Sequence, residues 1–168
     1  MKNLQSAIQT IDQHIAKQKN GLGEDLFFLV SRCTPMVNVD LLIKNDEGQL
    51  LLTWRDDQFY GPGWHIPGGI IRHKETFSQR IHQVAEKELS TNVQHDESPS
   101  MVQELMNHER DTRGHFISLL YNCTLLKNLS PENAFNTDNP QNNQWQWHST
   151  MPTNLIAVHK KLYSTLFT

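Results

Sequence analysis

Residues 65–89 contain the feature that most restricts the fold, a glycine-rich bend followed directly by an amphipathic helix. The stretch 65–72 carries Gly68 and Gly69, and it predicts a short strand, a tight turn and a second strand. Residues 76–89 lack Gly and Pro and place their apolar side chains on one side, with Thr76 suited to be the N-cap. A bend so rich in glycine brings the backbone close to another group.

The remaining pattern mixes strands and helices. Turn residues at 45–48 predict a hairpin between the first two strand-like runs, and residues 4–18 and 154–166 have helical character. We expect an α/β fold with a mixed sheet, divided into an arm helix at 1–24 and one domain at 25–168. The apolar side of the arm helix needs cover and favours a homodimer. The strand-like runs lie at residues 36–44, 49–55, 101–105, 116–126 and 145–147.

Charge and hydropathy exclude several classes of function. The formal net charge is −3 with acidic and basic residues interspersed, which argues against nucleic acid as a partner. No apolar run has the length of a signal peptide or a membrane span. We therefore expect a cytoplasmic protein that does not bind membranes and acts on a small molecule.

Acidic residues at both ends of the helix are candidate metal ligands. Glu75 follows the bend, and Glu88 lies near the end of the helix. Mg²⁺ prefers oxygen ligands, keeps several waters and takes one or two protein carboxylates, with substrate phosphates supplying the remainder. A carbonyl of the bend and one or two glutamates are enough for such a site. The alternative is that Glu75, Glu86 and Glu88 are solvated acids on an exposed helix face.

The spacing of these residues resembles the Nudix box, Gx5Ex7REUxEExGU with U an aliphatic residue. The box aligns without gaps on Gly69, Glu75, Ala85, Glu88 and Leu89-Ser90. The match is partial, because Gln83, Val84, Lys87 and Ser90 differ from the residues that the box has at their positions. The resemblance implies a Nudix-type α/β/α sandwich with a mixed sheet.

Two stretches outside the box, residues 33–40 and 64–69, resemble GDP-mannose mannosyl hydrolases, a subgroup of Nudix enzymes. That subgroup also lacks most of the box acids and keeps the last one. The resemblance covers roughly residues 30–150. It implies hydrolysis of a nucleoside diphosphate derivative, with a nucleotide sugar favoured, and it implies Mg²⁺, or Mn²⁺ in its place, as the cofactor.

The resemblance also implies a set of site residues. The metal ligands would be the Gly68 carbonyl, the Glu88 carboxylate and the Gln141 side-chain oxygen. Substrate would be bound by Asp40, whose carboxylate accepts hydrogen bonds, and by Arg55, whose guanidinium neutralises phosphate charge.

Two positions depart from the subgroup. Its Arg after the glycine pair is Ile70 here, and Arg72 would share the face of Ile70 in a strand and substitute for that Arg. Its general base, a His, is Asn142 here, which remains a substrate-binding candidate but cannot accept a proton at neutral pH. Glu75 is the stronger candidate to activate water, and the histidines that offer other replacements are His65, His108, His115 and His148.

Two further groups of residues leave alternatives open. The polar turn 110–115 either closes over a phosphorylated ligand or is a solvated hairpin tip, and the solvated tip is favoured. Trp64, Trp145 and Trp147 either stack on a base or fill a core, and we expect at most one of them to face a ligand.

The leading hypothesis is metal-assisted attack of water on a nucleoside diphosphate derivative, with Glu75, Arg55 and Arg72 as the catalytic residues. The attack would occur either at the sugar carbon or at phosphorus. The rival hypothesis is a catalytically impaired nucleotide-binding module on a Nudix scaffold.

Overall fold

The computed structural model describes residues 2–17 and 21–167. Within these ranges, the α-helices are α1 (Lys2–Lys17), α2 (Glu24–Cys33), α3 (Phe77–Leu89) and α4 (Ala157–Tyr163). The strands are β1 (Met36–Ile43), β2 (Leu50–Arg55), β3 (Gly63–His65), β4 (Gly68–Ile70), β5 (Val93–His95), β6 (Met101–Met106), β7 (His115–Leu125) and β8 (Trp145–His148). Short 3-10 turns lie at Pro131–Asn133 and Ser164–Phe167. The predicted α/β class is confirmed.

The strands form two sheets. In the larger sheet, β1 pairs with β7 in parallel and with β4 in antiparallel orientation, and β5 and β6 pair with different parts of β7. In the smaller sheet, β2 lies between β3 and β8, and all pairing is antiparallel. The predicted mixed sheet is therefore confirmed, and the bend between β3 and β4 leads from the smaller sheet to the larger one.

The predicted hairpin of residues 36–44 and 49–55 is present only at its turn, where Lys44 and Leu50 form one antiparallel bridge; beyond the turn the prediction is wrong, because β1 and β2 belong to different sheets. The two strands are joined by a turn in which Asn45 Oδ1 accepts a hydrogen bond from the Gln49 amide at 2.8 Å. Both strands are largely buried along their length, so each needs cover on both faces. A hairpin with one solvated face would leave this apolar surface in water.

Helix α3 forms as its sequence predicts. The Thr76 hydroxyl accepts a hydrogen bond from the Gln79 amide, and the Gln79 side chain accepts one from the Thr76 amide. This capping box satisfies two amides that would otherwise lack partners at the start of the helix. Phe77, one of the apolar residues of the predicted helix, is 47% exposed. The buried side consists of Ile81, Val84, Ala85 and Leu89.

Strand β1 separates two hydrophobic cores. Val39, Leu41 and Ile43 point to the core that α3 covers, whereas Asp40 points to the opposite face, where its carboxylate meets Tyr163 of α4. The second core contains residues of β2, β3, β6, β7 and α4. Trp64 lies in this second core, while Trp145 and Trp147 pack against the first.

The N-terminal region contains one helix more than the sequence analysis predicted. The arm helix is present as α1, and α2, which was not predicted, follows it. Leu4, Ile8 and Ile15 on the apolar side of α1 are exposed in the single chain. The homodimer and the division at 1–24 and 25–168 stay predictions, and residues 1, 18–20 and 168 of these units lie outside the described residues. Within the described ranges, no helix has the length and apolarity to cross a membrane.

Candidate active site

A cavity of about 220 Å³ lies beside the glycine bend. Both glycines of the bend form part of its wall, together with side chains from β1, β2, β3, α4 and the β6–β7 connection. It is located where the sequence predicts the metal and substrate site. The polar side chains that matter for its chemistry are Asp40, Arg55, His65, Arg113 and His159.

Glu88, in the last turn of α3, is not on the cavity wall but contacts His65, which is. Its Oε2 accepts a hydrogen bond from the Thr53 hydroxyl at 3.2 Å and lies 3.2 Å from His65 Nε2. The Glu88 side chain is only 13% exposed, so its carboxylate is turned inward. The alternative that Glu88 is a solvated acid of an exposed helix face is therefore excluded. By contrast, Glu86 on the same helix is exposed.

The oxygen donors beside the bend are of the kind that bind a magnesium ion whose coordination shell is completed by the substrate. Among residues 2–17 and 21–167, no group of three or more His, Cys, Asp or Glu side chains could hold a metal ion. Mg²⁺ does not need such a group, since one or two carboxylates, waters and substrate phosphates form its usual shell. The Glu88 carboxylate and the Gly68 carbonyl are of the chemical type that Mg²⁺ and Mn²⁺ accept.

Asp40 and Gly68 lie in direct contact across the paired strands β1 and β4. A methyl group on Gly68 would overlap with Asp40 Oδ1, so only glycine fits at this position. The Asp40 carboxylate is 2% exposed and accepts hydrogen bonds from the hydroxyls of Ser118 and Tyr163. Burial raises the pKa of Asp40 above its ordinary value. Asp40 thus forms a fixed polar patch on the cavity wall.

Arg55, at the end of β2, lines the same cavity. Its Nε donates to Asp57 Oδ2 at 2.5 Å, and its guanidinium carbon lies 5.1 Å from the centre of the Tyr60 ring. These two contacts hold the guanidinium at the cavity edge while its side chain stays 29% exposed. A guanidinium in this position can form charge-assisted hydrogen bonds with a phosphate.

Glu75 and Arg72, two of the predicted catalytic residues, are not on the cavity wall. The Glu75 carboxylate accepts hydrogen bonds from the Arg72 amide at 2.8 Å and from two nitrogens of Arg80 at 2.8 and 2.6 Å. Both side chains of the Glu75–Arg80 pair are more than nine-tenths buried. These contacts favour a structural role for Glu75 over the catalytic role predicted from its place in the box.

Arg72 does not share a face with Ile70, because β4 ends at Ile70. The Arg72 side chain is exposed, and its guanidinium lies near Gly21. Ile70 itself lines the cavity and supplies no charge there. The expectation that Arg72 replaces the missing arginine rested on a strand that continues to residue 72, which the structure contradicts.

Gln141 and Asn142 lie in the polar loop before β8. The Gln141 side chain is exposed and donates to Asn139 Oδ1 at 2.9 Å. Asn142 accepts a hydrogen bond from the Asp56 amide at 2.6 Å and donates to the Asp56 carbonyl at 3.1 Å. Asn142 therefore fastens this loop to the end of β2. The metal role of Gln141 and the substrate-binding role of Asn142 stay predictions.

One of the four histidines considered as replacement bases, His65, lines the cavity. It is 5% exposed, and within the described part of the chain its Nδ1 has no hydrogen-bond partner. His115 is paired with Glu104 at 2.8 Å, and His108 is exposed. His148 packs against Trp64, and burial lowers its pKa.

Arg113 and His159 are cavity residues that the sequence analysis did not assign to the site. Arg113 belongs to the turn 110–115, for which the sequence favours a solvated hairpin tip. Its side chain instead lies against aromatic rings and lines the cavity. His159 lies in α4 and its Nδ1 accepts a hydrogen bond from the Ile66 amide at 2.9 Å. The basic character of the turn was a usable signal for Arg113, and His159 had none.

His159 is expected to make the protein less stable in acid. Burial, followed by the nearby charges of His65 and Arg55, holds its pKa well below the ordinary value of 6.5. Below pH 6.5 this histidine binds a proton in the unfolded chain but stays neutral in the folded chain, so stability falls as pH falls. Between pH 7 and pH 5.5 we expect a loss of about 1 kcal/mol from this residue.

Urea unfolding at these two pH values, with His159→Gln as the comparison, measures this loss. The Gln side chain can still accept the Ile66 hydrogen bond, but it does not titrate. The contributions of Asp40 and Tyr163 are present in both proteins and cancel in the comparison. An equal pH dependence in both proteins would show that His159 is not the cause.

Comparison with known proteins identifies the family of this chain. The family model described as NUDIX domain matches residues 34–166. The low-salt glycan biosynthesis protein Agl8 of Haloferax volcanii is 37% identical over 77 residues, which are 46% of this chain and 49% of that protein. The chain thus matches about half the length of that curated relative.

Solved structures have the same fold at low sequence identity. The MutT protein from Methanosarcina mazei Go1 superimposes with a TM-score of 0.59 at 14% identity, over 79% of this chain and 94% of that chain. A MutT NUDIX hydrolase from Burkholderia pseudomallei gives 0.55 at 17% identity, over 80% of this chain and 99% of that chain. The predicted Nudix-type fold is therefore confirmed. By its match over residues 34–166, this chain belongs to the NUDIX domain family.

Proposed function

We propose that this protein is a divalent-metal-dependent hydrolase of nucleoside diphosphates joined to a second group, with a nucleotide sugar as the favoured substrate. The observation that carries this proposal is the inward Glu88 carboxylate close to a cavity that is lined by the glycine bend and by Arg55. A metal ion on the acidic side and a guanidinium on the other would neutralise a diphosphate between them.

In this proposal the metal ligands are the Gly68 carbonyl and the Glu88 carboxylate. A Mg²⁺ or Mn²⁺ ion bound there would supply Lewis-acid polarisation of the substrate phosphates and lower the pKa of a bound water. Thr53 and His65 hold the Glu88 carboxylate in a fixed orientation through the contacts at 3.2 Å. Arg55 would stabilise the negative charge of the departing phosphate, and Asp57 keeps its guanidinium in place.

Two observations favour a sugar as the second group. Residues 33–40 and 64–69 resemble GDP-mannose mannosyl hydrolases, and the buried Asp40 of the first stretch lies on the cavity wall beside Gly68 of the second. The relative from Haloferax volcanii, which is 37% identical over 77 residues, is named for glycan biosynthesis, a process that consumes activated sugars.

The second candidate is a nucleotide-binding module without turnover. It is favoured by the state of the box residues, since Val84 is buried in the core and Glu75 is tied to Arg80. In addition, Asn142 is bound on both sides to the backbone of Asp56 and cannot act as a base. The cavity and its arginines would serve binding equally well in such a module.

A panel of nucleotide sugars, incubated with Mg²⁺ in isotopically labelled water, distinguishes these candidates. We expect hydrolysis, with label in the sugar if water attacks carbon and label in the phosphate if water attacks phosphorus. Calorimetric binding without any product would favour the module. If the panel shows neither binding nor product, the proposal is overturned.

A further inference from the structure

The cavity contains a cationic residue, Arg113, although the arginine that the subgroup has after the glycine pair is replaced by Ile70. Ile70 lines the cavity without charge, and the Arg72 side chain is exposed and not on its wall. Arg113, from the turn before β7, lines the same cavity as Ile70. We propose that Arg113 is a second phosphate-binding residue, which holds the substrate diphosphate together with Arg55. The inference rests on the proposed function for the identity of the ligand.

Aromatic rings hold the Arg113 side chain in place. The centre of its guanidinium lies 4.5 Å from the ring of Phe59, 5.3 Å from that of Phe27 and 5.7 Å from that of Tyr60. The Arg113 amide donates to Ser31 Oγ at 3.2 Å, and its φ of 54° fixes the turn in a left-handed conformation. Rings from two segments thus surround the guanidinium, which also has a side-chain hydrogen bond with Tyr60.

At least one donor of the Arg113 guanidinium remains available for a ligand. Its Nε is buried without a hydrogen-bond partner, and no carboxylate forms an ion pair with it, as far as residues 2–17 and 21–167 are concerned. A guanidinium has five donors and stays charged in proteins. A buried charge without a partner is costly, and a bound anion would offset that cost.

The surroundings of Arg113 carry an excess of positive charge. The guanidinium groups of Arg55, Arg110 and Arg113 all lie within 5.7 Å of the centre of one ring, that of Tyr60. Within the described residues, the carboxylate that forms an ion pair in this group is Asp57, which is bound to Arg55. Burial lowers the pKa of Arg113, and repulsion by Arg55 acts in the same direction. Such a cluster favours an anion with more than one negative charge.

Arg113 also stands where the cavity meets a second one, of about 400 Å³. One end of a diphosphate bound there would extend into the first cavity and the other end into the second. Such a diphosphate should therefore carry a substituent at each end. This agrees with a nucleoside diphosphate derivative and is unfavourable for a free triphosphate. The residues common to both cavities are Tyr60, Leu105, Arg113, Ile156 and Val158.

The test is calorimetric binding of inorganic pyrophosphate in the presence of Mg²⁺. We expect Arg113→Gln to weaken binding by about 10-fold to 100-fold, the range for loss of charged hydrogen bonds. Arg113→Lys keeps the charge but loses the fork of donors, so its Kd should fall between those of Arg113→Gln and the unmodified protein. Arg32→Gln is the matched control, because Arg32 is exposed on α2.

Thermal unfolding without ligand separates binding from a purely structural role. If Arg113 only supports the fold, the melting temperature falls while the folded variants keep their affinity, and the inference is overturned. It is also overturned if the unmodified protein does not bind pyrophosphate. If pyrophosphate binding depends on Arg113 but no nucleotide sugar is hydrolysed, the proposed function fails and the inference stands. Should Arg113→Gln not fold, Arg113→Lys decides the result.

Discussion

Glu88→Gln is expected to weaken Mn²⁺ binding by at least about 100-fold and to reduce hydrolysis by a similar factor. The substitution keeps the shape of the side chain and its ability to accept the Thr53 hydrogen bond, but it removes the negative charge. Since a carboxylate is the ligand that a hard divalent cation prefers, the loss should appear in metal affinity first. Mn²⁺ titration followed by electron paramagnetic resonance measures this directly, and the nucleotide sugar assay follows turnover.

Glu86→Gln is the matched control for this experiment. Glu86 lies on the same helix, carries the same charge and is exposed. Its substitution should leave Mn²⁺ affinity and turnover unchanged. If Glu88→Gln bound Mn²⁺ as tightly as the unmodified protein does, the metal site would have to lie elsewhere, and the proposed function would lose its central residue.

Glu75→Gln is expected to lower the free energy of unfolding by about 3 kcal/mol, since it leaves the Arg80 guanidinium buried without its counter-charge. The Glu75 and Arg80 side chains are 8% and 9% exposed, so water can replace little of the lost interaction. Well below the melting temperature, the folded variant should lose much less activity than Glu88→Gln. Urea unfolding and the hydrolysis assay, applied to the same samples, measure both effects.

The control is Glu104→Gln, which removes the carboxylate of the exposed pair with His115. That change should cost less than about 1 kcal/mol, as is usual for exposed ion pairs. A Glu75→Gln protein that keeps its stability but loses turnover would support the catalytic role predicted from the box. A structural role predicts lower stability with turnover largely kept, whereas a catalytic role predicts unchanged stability with turnover lost. The two measurements together therefore decide the role of Glu75.

The sequence predicted what depends on local interactions. Helix α3 and its cap at Thr76 were predicted correctly, because the capping signal and the apolar spacing lie within the helix itself. Beyond its turn the predicted hairpin was wrong, because strand pairing depends on distant partners, and β1 pairs with β7 some eighty residues later along the chain. The turn residues 45–48 are the same for a hairpin as for a corner between two sheets.

The site followed the same pattern. Box spacing identified Glu75 and Glu88 together, yet it could not tell which carboxylate contacts a residue of the cavity wall and which contacts a neighbouring arginine. That depends on Thr53 and His65 for the one and on Arg80 for the other. The position of Arg113 requires rings from two other segments, and no local pattern in the turn 110–115 encodes them.

Because the chain crosses from one sheet to the other at residues 45–49, the residues around the cavity come from both sheets. Asp40 and Gly68 belong to the larger sheet, whereas Thr53 and His65, which hold Glu88, belong to the smaller one. Glu88 itself projects from α3, which packs on the larger sheet, so its carboxylate lies where the helix of one sheet meets residues of the other. A change in the packing between the two sheets, even far from a bound molecule, would therefore shift this carboxylate and alter the affinity for the proposed cation.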